Sequence, residues 1–200
     1  MAKKSLNTDV AILTFDGFNE LDLFIALGIL NGMKGKAWKV QITCPSDKVT
    51  SMNGVAIEAQ QPLAFFQQAD VVIFGSGIYT RKIAKDKAML TQLKLDPSKQ
   101  VIGAQCSGTL LLATLGLLNG ISKPWVIEAG IDVLNQPFIA NGNVVTSGGC
   151  LSSQYLASWV ISKMAGQSAA KAAIHYVAPV VEKEKAVVLN MAVVEPYIER

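Results

Sequence analysis

Cysteines are few in this sequence and widely spaced, at Cys44, Cys106 and Cys150. An odd number at such spacing fits neither a disulfide framework nor the paired-cysteine motifs of zinc and dithiol sites. We therefore expect no metal and no cofactor, and a reducing compartment is the simplest setting.

Charged residues are also scarce, and neither sign of charge is in large excess. Charged residues make up 16% of the chain and leave a formal net charge of +3. The lysines and arginines are scattered, without the basic stripe interleaved with aromatic residues that is typical of nucleic-acid binding. Nucleic acid is therefore not an expected partner.

Long apolar runs are absent as well. The longest, Leu110–Leu118, contains Thr114 and Gly116 and is well short of the roughly 18 residues that span a bilayer. Near the start of the chain, Val10–Phe15 is too short for the apolar core of a signal peptide. We expect no membrane partner and a cytoplasmic location.

Apolar residues, by contrast, are plentiful and make up half of the 200 residues. A chain of this length and composition can bury a continuous core without disulfides or metals. No linker or internal repeat divides it, so the prediction is a single domain over residues 1–200.

Four short runs rich in β-branched residues alternate with segments of helical character. Continuous rather than alternating hydrophobicity is typical of parallel strands that helices cover on both faces. The pattern predicts an α/β fold with a doubly wound, mostly parallel sheet and helices on both of its faces. The predicted strands are Val10–Thr14, Val40–Cys44, Val71–Phe74 and Val101–Ala104, and the predicted helices are Leu21–Met33, Thr80–Leu93 and Thr109–Leu118.

Turn residues predict two hairpins. An Asn-Gly turn within Met52–Val55 joins one short strand pair, and a turn at residues 141–143 joins another. The tail from Glu182 to Arg200 has a charged start and an apolar middle, so helix and strand both stay open for it. The remaining predicted elements are the strands Phe138–Ala140 and Val144–Thr146 and the helices Leu151–Met164 and Ser168–Val177.

The segment around Cys106 is typical of a nucleophile elbow. Cys106 lies between a predicted strand and an apolar helix, with Ala104 and Gly108 on either side. Small neighbours are needed because the nucleophile has a strained backbone at a sharp turn. The N–H groups and dipole of a helix N-terminus are expected to lower the pKa of this thiol and raise its reactivity. The alternative is a small buried apolar residue, a common role of cysteine.

Two other loops follow predicted strands, and in doubly wound sheets ligands bind where such loops meet. The N–H groups of the loop after Phe74, together with that of Ser107, are candidates to bind an oxyanion; the alternative is a tight turn. Three carboxylates follow the first strand, at a helix start where the helix dipole alone also favours acidic residues. The loop residues are Gly75, Ser76 and Gly77, and the carboxylates are Asp16, Glu20 and Asp22.

In their order along the chain, these segments resemble the DJ-1/PfpI family of the class I glutamine amidotransferase-like superfamily. The similarity rests on Asp-Gly-Phe-Asn-Glu-Leu-Asp at 16–22, the glycine loop, Ala-Gln-Cys-Ser-Gly at 104–108, and Thr-Ser-Gly-Gly at 146–149. It implies a flavodoxin-like fold. Within the family, Phe15–Asp22, the Cys-Ser pair and a Leu-Leu-Asn-Gly segment are most similar to isonitrile hydratase and its relatives.

For the site, this resemblance implies an acidic residue facing the cysteine, and the matching residue is Asp22. Ser107 matches a threonine that follows the cysteine in the hydratase. The expected reaction is attack of Cys106 on an isonitrile carbon, with Asp22 transferring protons and Ser107 orienting water or substrate, to yield an N-substituted formamide. Relatives commonly dimerise, so we expect a homodimer that acts on a small molecule.

Several features depart from the family pattern. Amidase, glyoxalase and deglycase members commonly carry a histidine beyond the elbow helix, where this chain has Ser122–Trp125. The single histidine, His175, is expected to be structural or exposed. The glycine loop reads Gly-Ser-Gly where Pro-Gly-Gly is usual, and the segment Ile121–Gly130 is short. Cys150 begins another helix and is either a packing residue or a resolving thiol.

Two classes of function remain open. One is a cysteine-dependent hydratase or hydrolase of a small molecule, with amidase-, protease- or glyoxalase-like chemistry less favoured because the histidine is missing. The other is a non-catalytic sensor of oxidative or electrophile stress, in which Cys106 is oxidised and Asp22 hydrogen-bonds the product.

Overall fold

A computed structural model describes residues 7–33, 35, 37–118 and 136–198, and a β-sheet of seven strands runs through it. Two further strands, β3 and β4, form a separate antiparallel pair. In chain order the strands are β1 Thr8–Leu13, β2 Trp38–Cys44, β3 Lys48–Thr50, β4 Ala56–Glu58, β5 Gln61–Pro62, β6 Val71–Phe74, β7 Val101–Gln105, β8 Phe138–Asn141 and β9 Val144–Ser147.

The large sheet has the order β5-β2-β1-β6-β7-β9-β8. Its neighbouring strands are parallel except for the edge strand β8, which pairs antiparallel with β9. The chain moves outwards from β1 to β2 and then returns to the other side of β1 through β6. Loops that follow β1 and β6 diverge at this switch point and leave a crevice beyond the carboxyl ends of the strands.

Seven α-helices are described. None of them is both long enough and apolar enough to cross a membrane, within the described ranges. Short 3-10 segments at Cys106–Gly108 and Cys150–Ser152 precede two of these helices. The helices are α1 Glu20–Asn31, α2 Thr80–Ile83, α3 Lys87–Leu90, α4 Thr109–Thr114, α5 Ser153–Ala165, α6 Gln167–Val177 and α7 Lys183–Val194.

Side chains of the central strand β1 alternate between two apolar layers, one on each face of the sheet. Val10 and Ile12 belong to the layer that contains buried side chains of α1, α5, α6 and α7. Ala11 and Leu13 belong to the other layer, with buried side chains of α3 and α4. Both faces of the strand are buried, which explains its continuous hydrophobicity.

The predicted fold class is confirmed, and both predicted hairpins form, as β3–β4 and β8–β9. The single helix predicted over Thr80–Leu93 is wrong, because Asp86 caps a new helix, α3, by accepting a hydrogen bond from the Met89 N–H at 2.9 Å. The helix predicted to reach Leu118 ends at Thr114, shortly before a glycine with positive φ. The undecided tail forms α7.

Candidate active site

Cys106 lies at the sharp turn between β7 and α4 and is half-buried. Its φ of +46° falls in the left-handed region, which costs a non-glycine residue about 1–2 kcal/mol. The strained elbow predicted from the sequence is therefore confirmed. Such strain places a nucleophile at the end of a strand with its side chain free of the sheet.

Glycines let three loops approach one another around this turn. A Cβ atom on Gly108 would lie 2.4 Å from the carbonyl oxygen of Gly75, and one on Gly75 would lie 2.6 Å from that of Leu13. A Cβ on Gly77 would lie 2.3 Å from the carbonyl oxygen of Gly17. Any side chain at these glycines would push the loops apart and open the site.

Asp22 lies in the first turn of α1 and is completely buried. Ser76 donates a hydrogen bond to its Oδ2, and the Ser153 hydroxyl donates to Oδ1 at 3.1 Å. The side chain of Gln105, next to the cysteine, donates to the Asp22 carbonyl oxygen at 2.7 Å. These contacts join α1 to the loop after β6, the end of β7 and the start of α5.

The other two predicted carboxylates have different surroundings. Glu20 accepts hydrogen bonds from the Ser51 hydroxyl and from Asn53 Nδ2, the latter at 2.9 Å, and these bonds lower the pKa of Glu20. Asp16 accepts from the Thr50 N–H at 2.9 Å. Asp16 therefore binds the end of β3 and Glu20 binds the turn after it. Asp22 is the carboxylate whose charge acts on Cys106.

Burial raises the pKa of the Asp22 carboxyl, although hydrogen bonds from Ser76, Ser153 and the Cys150 thiol partly oppose the rise. The pKa of the Cys106 thiol is raised as well, first by burial and then by the negative charge of Asp22. The lowered thiol pKa expected from the helix N-terminus is therefore wrong. N–H groups of Ser107 and Gly149 do stabilise the thiolate, but burial and charge outweigh them.

The Ser107 hydroxyl is held in the wall of the site. It lies 2.9 Å from the Thr80 hydroxyl oxygen and accepts a hydrogen bond from the Gly77 N–H at 3.3 Å. The Gly75 N–H donates to the carbonyl oxygen of Leu13 at 3.1 Å. Gly75 is thus already paired within the sheet, which corrects its expected part in binding an oxyanion.

A cavity of about 460 Å³ opens above the cysteine. Cys106 and Ser107 lie on its wall, while Asp22 lies below it, behind Ser76. The lining combines hydroxyl, amide and apolar groups with one arginine. Its residues are Asn19, Met52, Ser76, Gly77, Ile78, Thr80, Arg81, Cys106, Ser107 and Leu110.

Three contributors to the site were not predicted: Asn19, Thr80 and Ser153. Asn19 caps α1, with its Oδ1 accepting from the Leu21 N–H at 3.0 Å, and its Nδ2 donates to Cys150 Sγ at 3.3 Å. An Asn-Glu pair at a helix start signals the cap in the sequence. Local sequence carries no signal for the contacts of Thr80 and Ser153 with residues far away in the chain.

The single histidine lies away from this cavity, on α6. His175 Nε2 is 3.5 Å from Glu184 Oε1 of α7, beside a groove of about 700 Å³ between the two helices. Two segments were expected to depart from the family pattern, and both lie outside the described residues: Ser122–Trp125 and Ile121–Gly130. Within the part of the chain that is described, no group of histidine, cysteine and acidic side chains could hold a metal ion.

The sequence model of the DJ-1/PfpI family matches residues 8–163 of this chain. This chain belongs to the DJ-1/PfpI family. Comparison with curated proteins found no match. Solved structures of DJ-1/PfpI proteins share its fold.

Schizosaccharomyces pombe DJ-1 is 20% identical, with a TM-score of 0.72 over 86% of this chain and 100% of that one. Drosophila melanogaster DJ-1beta is 18% identical, with a TM-score of 0.74 over 86% and 97% of the two chains. A ThiJ/PfpI family protein from Pseudomonas syringae is 19% identical, with a TM-score of 0.72 over 96% and 90%. The TM-scores show a common fold. Because the identities are low, the reaction of this chain has to be inferred from its own residues.

Proposed function

We propose that this DJ-1/PfpI protein is a cysteine-dependent hydratase or hydrolase of small organic molecules, with isonitriles as the substrate class that its site fits best. The observation that carries the proposal is a buried carboxyl, Asp22, paired with a strained and half-buried thiol, Cys106, at a cavity of about 460 Å³. A cavity of this size is in the usual range for small ligands.

The two raised pKa values suit a pair that holds one proton in its resting state. Burial disfavours the charged form of either group, and a negative charge on one disfavours a negative charge on the other. The thiol therefore keeps its proton until an electrophile arrives. Asp22 is then the base that removes it, since its negative charge acts on the Cys106 thiol and Ser76 and Ser153 hold its carboxyl in place.

An isonitrile needs both a nucleophile and a proton at the same carbon atom. Cys106 Sγ forms the new C–S bond, and Asp22 passes the thiol proton to that carbon, which gives a thioimidate R–N=CH–S–Cys106. No group leaves in this step. The reaction therefore does not require a histidine to protonate a leaving group.

Water completes the reaction. The Ser76 hydroxyl lies on the cavity wall and hydrogen-bonds Asp22, so it can pass a proton from the water to that carboxylate as the water oxygen attacks the thioimidate carbon. The nitrogen then gains a proton, and the C–S bond breaks to release R–NH–CHO and the free thiol. Ser107 supports this step because Thr80 and Gly77 fix its hydroxyl in the cavity wall. The apolar side chains of Met52, Ile78 and Leu110 leave room for the organic group R.

A panel of isonitriles, amides and aldehydes tests the proposal, with product formation followed by NMR. We expect isonitriles to yield formamides, and Cys106→Ala to abolish turnover. Cys44→Ala is the matched control, since Cys44 is buried on β2 and does not line the cavity. Cysteine-dependent turnover of amides or aldehydes alone would instead identify a hydrolase or glyoxalase-like enzyme. Turnover of none of these compounds would contradict the enzyme proposal.

A sensor of oxidative or electrophile stress is the second candidate. One observation favours it: the charge of the same carboxyl, Asp22, acts on a second thiol, Cys150, as well as on Cys106. This function predicts oxidation or alkylation of Cys106 without turnover of any compound in the panel. Intact-mass measurement after peroxide treatment separates the two candidates.

We also propose that the protein is a homodimer. Exposed apolar side chains of α1 and α6 and of the segment before α5 share one groove, with Phe24 42%, Leu151 67% and Val177 46% exposed. Contiguous exposed apolar surface of this kind is typical of association. A cytoplasmic location remains a prediction, which cell fractionation would test.

A further inference from the structure

We infer that Cys150 is a resolving thiol for Cys106, so that a hydroperoxide converts the two residues into an intramolecular disulfide. The inference uses Cys106 as a nucleophile but does not depend on the proposed hydration reaction. It assigns a redox role to a residue that the proposed enzyme mechanism leaves unused.

The sheet brings the two cysteines together although they are far apart in the chain. Strands β7 and β9 are parallel neighbours, and Gln105 is paired with Ser147. Cys106 directly follows Gln105, and Cys150 begins the 3-10 segment just beyond Ser147. Both cysteines therefore follow the paired ends of neighbouring strands, which lie about 4.8 Å apart, and meet at the same edge of the sheet.

The two cysteines also interact with the same neighbouring residues. The N–H of Gly149, the residue before Cys150, hydrogen-bonds the Cys106 thiol. The Cys150 sulfur accepts a hydrogen bond from Asn19 Nδ2 at 3.3 Å, and the charge of Asp22 acts on the Cys150 thiol as it does on Cys106. Asn19 and Cys106 both line the cavity. An oxidised Cys106 would thus form within reach of a second thiol.

Two balanced steps lead to the disulfide. The Cys106 thiolate attacks a peroxide oxygen, the O–O bond breaks, and Cys106 becomes a sulfenic acid while the peroxide is reduced to water or an alcohol. Cys150 then attacks the sulfenic sulfur, the S–S bond forms, and a second water leaves with the proton of the Cys150 thiol. Asp22, whose charge acts on that thiol, can take up this proton and pass it to the departing hydroxyl group to complete the water.

Cys44 provides an internal comparison. It lies on β2, is 2% exposed, and burial raises its pKa to about 11. A thiol so rarely ionised reacts slowly with peroxide. Both cysteines of the proposed pair are partly exposed, whereas Cys44 is enclosed in the core.

The disulfide would protect Cys106 from irreversible oxidation. With Cys150 present, the sulfenic acid reacts to form a disulfide, which a dithiol can reduce. Without Cys150, further peroxide takes Cys106 to sulfinic and sulfonic acid, which dithiols do not reverse. The same bond would block Cys106 as a nucleophile until a reductant restores it.

The test treats the full-length protein with hydrogen peroxide at about pH 9, where a thiol of raised pKa is partly ionised. Intact mass and peptide mapping then compare wild type with Cys150→Ser and Cys44→Ser. Serine keeps a donor for Asp22, and circular dichroism checks that each variant is folded. We expect wild type and Cys44→Ser to lose two hydrogen atoms and to show a Cys106–Cys150 cross-linked peptide.

Cys150→Ser should instead gain two or three oxygen atoms on Cys106. Iodoacetamide labelling of Cys106 after dithiothreitol should recover nearly fully in wild type and remain lost in Cys150→Ser. Sulfinic Cys106 in wild type, a cross-link to Cys44 or to a second chain, or an unmodified Cys106 would each overturn the inference. Because labelling is the readout, a failure of the proposed hydratase function would leave this result unaffected.

Discussion

Asp22 accepts hydrogen bonds from two hydroxyls, and burial nevertheless raises its pKa. At the residue scale, this balance decides how Cys106 behaves, since the carboxylate both suppresses thiol ionisation and provides the base that the reaction needs. Asp22 should therefore slow direct alkylation of Cys106 and accelerate turnover of substrate by the same sulfur.

The variant Asp22→Asn separates these effects. Removal of the negative charge eliminates one cause of the raised Cys106 pKa, so the midpoint of the pH profile for iodoacetamide labelling should move to lower pH. Labelling at neutral pH should then be faster than in wild type. Turnover of substrate should fall about 10²–10⁴-fold, because the general acid–base group is lost. Slower labelling in the variant would contradict the electrostatic account.

The same variant should change how stability depends on pH. The Asp22 pKa is raised in the folded protein, so the folded state binds this proton more tightly than the unfolded chain does. The resulting stabilisation is complete below about pH 4, the range of an unfolded aspartate, and is lost as the pH rises through the folded pKa.

Asparagine carries no charge at any of these pH values. Thermal unfolding of Asp22→Asn should therefore show a higher midpoint than wild type at pH 8, and the difference should shrink towards pH 4. An equal difference at both pH values would show that the effect comes from packing instead of ionisation.

At the scale of elements, the site depends on how closely the loops after β1, β6 and β7 approach one another. The variant Gly77→Ala places a Cβ atom 2.3 Å from the carbonyl oxygen of Gly17, which is backbone and cannot rotate away. We expect a loss of about 1–3 kcal/mol in the free energy of unfolding and a change in Cys106 labelling, measured by denaturant titration and alkylation.

Gly28→Ala is the matched control. Gly28 lies within α1, and a Cβ atom there would meet nothing within 4 Å in its own chain. Because Gly28 also lines the groove proposed as the dimer interface, both glycine variants are compared in the Leu151→Glu background. Alanine is the better helix former, so this variant should gain up to about 1 kcal/mol. Equal destabilisation by the two changes would mean that the close loop approach is not what requires Gly77.

The strands could be predicted because their signal is local. Ile12 and Leu13 face opposite layers and are both buried, so β1 has a continuous apolar run. The elbow at Cys106 could be predicted for a similar reason, since its small neighbours reveal the sharp turn. Asp22 as the partner came from family resemblance, and the structure places its charge close enough to act on the thiol.

Other features depend on contacts that the sequence does not encode locally. The raised pKa of Cys106 results from burial and from Asp22, neither of which a helix N-terminus reveals. Ser153 reaches Asp22 across 131 positions of the chain. The break before α3 arises because Asp86 caps a new helix instead of continuing the previous one. Helix propensity alone does not decide between these two conformations.

At the scale of the whole molecule, the apolar groove at Phe24 and Leu151 should set the oligomeric state. Phe24→Glu and Leu151→Glu should each convert a dimer into a monomer, since a charge at a closely packed interface is not solvated. Val181→Glu is the control, because Val181 is 92% exposed and does not line this groove. Size-exclusion chromatography with light scattering measures the change; a monomeric wild type would contradict the proposal.

The distribution of the site over distant segments has a consequence for synthesis of the protein. A ribosome completes Cys106 before it makes Gly149–Ser153, the segment that supplies an N–H to the Cys106 thiol and a hydroxyl to Asp22. Until that segment emerges, β9 and α5 cannot close the sheet and bury the thiol. The nascent chain therefore carries Cys106 with the reactivity of an ordinary exposed cysteine and without Cys150 beside it. Irreversible oxidation of Cys106 is therefore expected to be fastest during translation, before the fold is complete.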